Sequence, residues 1–275
     1  MRNSRAFVWL KRILLGLLAL LLLIVLLFAG TILIDNLFLG NTVTEVTNVT
    51  YQDSQGNTLY GYLARPEGEG PFPAVLLIHE WWGLNEGIVT LADALAANGY
   101  VVFAADAYRG NNTALFPRAL WLRVTTPTEQ IQADMDAALD YLRALPDVDA
   151  ARVASMGFCF GGGQSLQLGL RQSEKLAVTI IYYGAVVTDP NLLRPLTDAA
   201  PVLGVFAEDD NTIFPEEVLE FEAALNSLAI PNEITIYEGV GHAFVTEDNY
   251  DEPGPAMEAW QQTLRFLAAN LKGGG

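Results

Sequence analysis

The sequence predicts an α/β domain, a mainly parallel sheet with helices on both faces, preceded by one membrane-spanning helix. Short apolar runs such as "AVLLIHE" and "YVVFAAD" are of the kind buried on both sides of a parallel sheet. Segments with helical apolar spacing alternate with them, and such repeated units need crossovers, which make the strands parallel. The third observation is an uncharged stretch of 22 residues, Ile13 to Ile34, near the N-terminus.

That stretch follows Arg2, Arg5, Lys11 and Arg12, and at 1.5 Å per residue it reaches about 33 Å, enough for a hydrocarbon core. Positive charge before the span and Asp35 after it put the N-terminus in the cytoplasm and the rest of the chain outside. The run is longer than a cleavable signal peptide's apolar region, and no A-x-A-like site follows, so a retained signal anchor over residues 1–34 is expected in place of a secreted product. The remainder carries 11 basic against 32 acidic residues, a net charge of −21, which excludes nucleic acid as a partner. Nothing in the sequence fixes an oligomeric state.

Residues 35–42 read as a linker. "TEVTNVTYQD" and "NTLYGYLARP" then alternate as an antiparallel hairpin around Ser54 to Asn57, and "PEGEGPFP" breaks the chain before "AVLLIHE". Ile88, Leu91 and Leu95 mark a helix stopped by Gly99. Thr126, Pro127 and Glu129 form a capping box for a helix whose stripe is Ile131, Met135, Ala138, Leu142 and Leu145. "RVASMGF", "LAVTIIYYG", "PVLGVFA" and "NEITIYEG" are the later strands. Helices fall over "GGGQSLQLGL", from Pro215 to Leu228, and along Trp260, Leu264, Leu267 and Leu271. One domain spans 43–271, with a loose tail at 272–275.

The only cysteine of the chain, Cys159, sits in "GFCFGGG" between a strand and a helix, in the pattern G-x-C-x-G. A nucleophile elbow needs that spacing, because its turn is too tight for side chains on the neighbours. The positive end of the following helix favours a thiolate. His242, in "YEGVGHAF" after the last strand, is the candidate base, and "FAEDDNTIFP" supplies the acid, Asp210 with Asp209 as its rival. Two distant histidines and one cysteine offer no zinc spacing, and no cofactor is expected.

These residues resemble the dienelactone hydrolase family, a branch of the α/β-hydrolases, through "HEWWGLN", "ADAY", "GFCFGG", "FAEDD..IFP" and "YEGVGHAF" between about Tyr60 and Leu271. The resemblance implies Cys159 as nucleophile, His242 as base, Asp210 as acid, and Glu80 as a carboxylate that contacts the thiol and controls its ionisation. Glu80 also ends a strand at the carboxyl edge of the sheet, where ligands bind in open α/β folds. His79 beside it reads as structural. The backbone N–H groups of Trp81 and Phe160 are the expected oxyanion donors.

Thr246 stands where the family's dienelactone-binding enzymes carry a substrate arginine, which separates this chain from that particular substrate. Arg109, Arg118 and Arg123 cluster instead in the long connection after "YVVFAAD", a candidate lid or anion site. Tyr108, Trp82 and these arginines are the expected substrate contacts, and Trp81, Trp82 and Trp121 are candidate pocket walls. The expected function is a membrane-anchored hydrolase acting on a small-molecule ester or lactone through a thioester acyl-enzyme. A ligand-binding protein that kept the fold and a thiol redox sensor are the alternatives.

Overall fold

The computed structural model describes residues 3–40, 42–197 and 201–272; Arg2 and the tail glycines Gly273 to Gly275 fall outside them. The chain opens with a long helix, α1 (Asn3–Ile34), which runs into a wider π-helical turn (Asp35–Leu39). A short helical turn α2 (Val43–Val46) leads to the hairpin β1 (Val49–Gln52) and β2 (Thr58–Ala64). Then follow β3 (Phe72–Ile78), α3 (Glu86–Ala97), β4 (Val101–Ala105), α4 (Phe116–Thr125), α5 (Thr128–Arg143), β5 (Val148–Phe158) and α6 (Phe160–Arg171). β6 (Val178–Tyr182), α7 (Pro190–Leu193), β7 (Val202–Ala207), α8 (Pro215–Ser227), β8 (Asn232–Tyr237) and α9 (Pro255–Leu267) complete the series.

The strands form one eight-stranded sheet in the order β1-β2-β4-β3-β5-β6-β7-β8. β1 and β2 pair antiparallel, β2 also runs antiparallel to β4, and every later pairing is parallel. The sheet is therefore mixed, with a parallel body, and the fold is α/β-hydrolase-like. Central β3 shows why its sequence is apolar throughout. Val75 and Leu77 pack with Leu91, Leu95 and Trp260 on one face, while Leu76 and Ile78 pack with Ile131, Met135 and Leu139 on the other. Alternate side chains of a strand point to opposite faces, so a doubly covered strand has no place for a polar residue.

The expected elements recur with four corrections. The segment read as a linker is built into the fold: helix continues through Leu39, Asp35 is buried within 4.0 Å of Arg118, and Thr42 is held by Asn112. The alternation from Thr44 onward begins as a helical turn, because Val43 is buried and β1 starts only at Val49. No capping box forms at Thr126, which ends α4; Pro127 occupies the cap position of α5 without a side-chain bond. Lys272, placed in the loose tail, donates to Asn98 O and lies over the Tyr100 ring.

Candidate active site

The turn after β5 is built by close backbone approach. A Cβ on Gly157 would stand 2.1 Å from the Gly161 carbonyl oxygen, and one on Gly161 would stand 2.2 Å from that of Ile78. Both flanking positions must therefore lack side chains, as the G-x-C-x-G spacing predicts. Cys159 between them has φ +52°, a strained conformation for a residue with a Cβ, and is held by a hydrogen bond from its N–H to Tyr182 O at 3.0 Å. The strain lifts Sγ above the carboxyl edge of the sheet.

His242 and Asp210 complete a hydrogen-bonded line with that sulfur. His242 Nε2 lies 3.1 Å from Cys159 Sγ, and Nδ1 lies 2.7 Å from Asp210 Oδ2. Asp210 accepts two further bonds on Oδ1, from the N–H groups of Thr212 and Ile213 at 2.7 and 3.0 Å, so its buried carboxylate is fixed by the turn that follows β7. Asp209 is exposed and bonds through its main chain, its N–H donating to Val240 O and its carbonyl accepting from Asn211 Nδ2. Between the two acids, the ring meets Asp210. Tyr183, the residue after β6, packs edge-on against His242 at 5.3 Å and anchors itself by donating its hydroxyl to Val245 O.

The surroundings of the thiol favour its protonated form. Burial, and after it the nearby Glu80 carboxylate, push Cys159 up to about 12, while N–H groups of Phe160 and Trp81 aimed at the sulfur pull the other way. The donors at the helix N-terminus act with the expected sign, and desolvation opposes them as the larger effect. Those two N–H groups sit where the sequence places the oxyanion donors.

Glu80 does not hydrogen-bond the thiol. It lines a neighbouring cavity of about 240 Å³ with Thr246 and Glu247, and it influences the sulfur by charge. Its own pKa is raised, first by burial. His79 is fully buried and structural: Nε2 accepts from Ala107 N–H at 3.0 Å, and Nδ1 meets Glu80 O.

A cavity of about 260 Å³ opens above Cys159, lined by Trp81, Phe160, Tyr183, Ile213, His242 and, from α4, Arg123. Of the three clustered arginines only Arg123 reaches it, lying 5.2 Å over the Phe160 ring. Arg109 turns to α5, where it grips buried Asp134 with two bonds of 2.7 and 2.8 Å, so the anion site expected of it is already filled by a carboxylate of the protein. Arg118 is buried and donates to Asn111 Oδ1. Tyr108 is buried and stacks on Phe160, supporting a donor residue without lining the cavity. Trp82 lines two other cavities, and Trp121 faces α1.

Sequence reasoning missed Tyr183, Gln164 and Gln167 in the lining. The signal was available for the glutamines, which are polar positions on the first turns of the helix that follows the elbow. Tyr183 had none, because "IIYYG" reads as core.

The sequence profile of the dienelactone hydrolase family matches residues 59–271. The chain belongs to the dienelactone hydrolase family. A Salmonella typhi protein named "putative carboxymethylenebutenolidase" is 32% identical over 235 residues, covering 80% of this chain and 86% of that relative. The crystal structure of a "putative dienelactone hydrolase" from Klebsiella pneumoniae superposes with a TM-score of 0.69 at 28% identity, over 80% of this chain and 99% of that one. A dienelactone hydrolase-like promiscuous phosphotriesterase from metagenomic libraries has the same TM-score at 22% identity, over 81% and 96% of the two chains, a likeness of fold alone. Like its family, this chain is a hydrolase of the ester or lactone type. The apolar helix α1 stands apart from that match: among the described residues it is long and apolar enough to cross a membrane, with the chain exposed from Phe7 to Leu27.

Proposed function

We propose that this dienelactone hydrolase family member is a membrane-anchored enzyme that cleaves a carboxylic ester or lactone through Cys159, His242 and Asp210, with residues 43–271 as its catalytic domain. The observation that carries the reading is the unbroken line from Asp210 Oδ2 through the imidazole to Sγ, at 2.7 and 3.1 Å, beneath an open cavity.

In this reading the substrate carbonyl oxygen sits between the N–H groups of Trp81 and Phe160. As Sγ bonds to the carbonyl carbon, its proton passes to His242 Nε2 and the carbonyl electron pair moves onto oxygen, held by the two donors. Each such donor contributes roughly 3 to 4 kcal/mol to lowering the barrier. Collapse breaks the carbon–oxygen bond, and the leaving alkoxide takes the proton from Nε2, leaving a thioester. Water then attacks that thioester while giving a proton to Nε2, and the second collapse releases the carboxylic acid as Sγ regains its proton. Asp210 holds the ring in the required tautomer and stabilises the transient imidazolium. Burial that favours the neutral thiol is compatible with this base-assisted attack, whereas peroxide sensing draws on a standing thiolate.

Hydrolysis of small activated esters by wild type and Cys159→Ala, with intact mass of trapped adducts, tests the chemistry. An acyl adduct on wild type and loss of turnover in the variant are expected; wild-type rates from Cys159→Ala would end the reading. The anchoring half places residues 1–34 as a basic tail and signal anchor, with the N-terminus cytoplasmic and the catalytic domain outside. It is supported by the apolar run from Ile13 to Ile34 behind Lys11 and Arg12. Retention in the membrane fraction after an alkaline carbonate wash is the expected result, and release as a shortened soluble chain overturns it.

A further inference from the structure

α4 is an unusual helix for so acidic a chain. Its sequence, "FPRALWLRVT", has no acidic residue, and its outer side exposes Phe116, Leu120, Trp121 and Val124 at 36 to 72% of their surface. Phe116, Leu120 and Val124 are spaced by four, so they form one stripe, and Trp121 lies beside it. The opposite side is buried through Arg118, Ala119 and Leu122. Four large apolar side chains on one side of a ten-residue helix call for a covering surface.

The structure shows what lies beside them. Trp121 lines an apolar cavity of about 290 Å³ together with Ala29, Ile32, Leu33 and Asn36 of the anchor helix and the turn that follows it. Ala29, Ile32 and Leu33 belong to the run Ile13 to Ile34, so a side chain beside them lies at the outer edge of the same hydrocarbon layer. Indole rings favour that level. Leu37, Phe38 and Leu39, immediately beyond, are also exposed. The placement is pinned: Asp35 is buried beside Arg118 of α4, and Asn112 bonds both Thr42 and Leu84 O. α4 cannot drift away from the end of the anchor on a slack tether.

The same helix forms a wall of the catalytic cavity. Phe116 meets the Trp81 ring edge-on at 5.4 Å, and Arg123 lines the cavity over Phe160. We infer that the outer face of α4, with Leu37 to Leu39, rests in the lipid bilayer interface, so that the cavity mouth opens on the membrane and receives lipophilic esters or lactones dissolved there. This rests on the anchoring proposed above, and it adds a second contact and a substrate class. The exposed charge on the helix, Arg123, is cationic, as an interface of phosphate headgroups favours, while Arg118 is turned inward beside Asp35.

The test uses the full chain reconstituted in phosphatidylcholine vesicles. On a Cys159→Ala background, single cysteines carrying a nitroxide are placed by Leu18→Cys in the anchor, Val124→Cys on α4, and Glu174→Cys in the exposed turn between α6 and β6. Electron paramagnetic resonance then compares access by oxygen and by a water-soluble nickel complex. Sites 18 and 124 are expected to be lipid-like and site 174 water-like. A water-like site 124 with a lipid-like site 18 overturns the inference and leaves the anchor standing; a water-like site 18 removes both. For substrate class, Leu120→Glu/Val124→Glu is expected to lower kcat/KM for a long-chain ester dissolved in the vesicles about tenfold while leaving a short water-soluble ester within about twofold of wild type. Equal effects on both esters, or none on either, overturn it.

Discussion

The chain has two histidines, and each lies past the carboxyl end of a strand, His79 directly after β3 and His242 five residues beyond β8. Their surroundings divide them. His79 is sealed, and both ring nitrogens are engaged by main chain, Nε2 accepting from Ala107 and Nδ1 meeting Glu80 O. His242 keeps one nitrogen on a buried carboxylate and turns the other to a thiol at the floor of a cavity. An imidazole whose two nitrogens are committed to the backbone ties strand ends together and has no lone pair turned to a reacting group. One with a lone pair facing an ionisable group can relay a proton, whichever strand it follows.

The sharpest way to break that contrast is to remove each ring. His242→Ala is expected to lower kcat on an activated ester by about 10⁴-fold or more with little change in unfolding midpoint. His79→Ala is expected to do the reverse, costing about 1 to 3 kcal/mol for each buried backbone group left unpaired, read from a denaturant midpoint. Equal losses of kcat in both folded variants would dissolve the distinction. The acids extend it. Asp210→Asn leaves the line in place with the wrong tautomer and is expected to cost about 10³- to 10⁴-fold in kcat, whereas Asp209→Asn should stay within about twofold.

A smaller effect is expected at Glu80, the residue whose carbonyl meets His79 and whose carboxylate acts on Cys159. Glu80→Gln removes an anion beside the sulfur, so the thiol pKa must fall from about 12, and the alkylation rate of the resting enzyme should begin to climb at lower pH. The stability sign is also fixed. Because Glu80 is raised, the folded state holds its proton more tightly than the unfolded chain, and ionising it disfavours the fold as pH rises above the unfolded value of about 4.3. Glu80→Gln should therefore gain stability over wild type at neutral pH and lose that advantage in acid, as paired thermal melts would report. The least change is expected at Arg123, where Arg123→Gln should raise KM a few-fold for a carboxylate-bearing ester and leave a neutral one unchanged, in line with one partly exposed charge contact.

The parallel body of the fold was legible because a doubly buried strand leaves an apolar run, and "AVLLIHE" can hardly be anything else. The elbow was legible for a similar reason, since Gly157 and Gly161 are dictated by main-chain contact at the turn itself. Adjacent Asp209 and Asp210 were not separable in sequence, because what distinguishes them is the direction of one turn and the N–H groups of Thr212 and Ile213. Arg109 misled for a tertiary reason: its partner Asp134 is 25 residues away on α5. Likewise, Asp35 looks like a linker residue until Arg118 arrives beside it. The thiol's protonation was unreadable too, since a helix N-terminus is visible in sequence and the degree of burial is not.

The strained turn at Cys159 has a consequence for how this scaffold can change. Its neighbours are locked by carbonyl oxygens barely 2 Å from where any side chain would begin, so mutation is confined to the tip. The side chain at position 159 behaves like a drill bit in a fixed chuck. A hydroxyl can replace the sulfur by a single atom exchange, in Cys159→Ser, with the backbone undisturbed, and the reagent of this fold can thereby be renewed without rebuilding the tool that holds it.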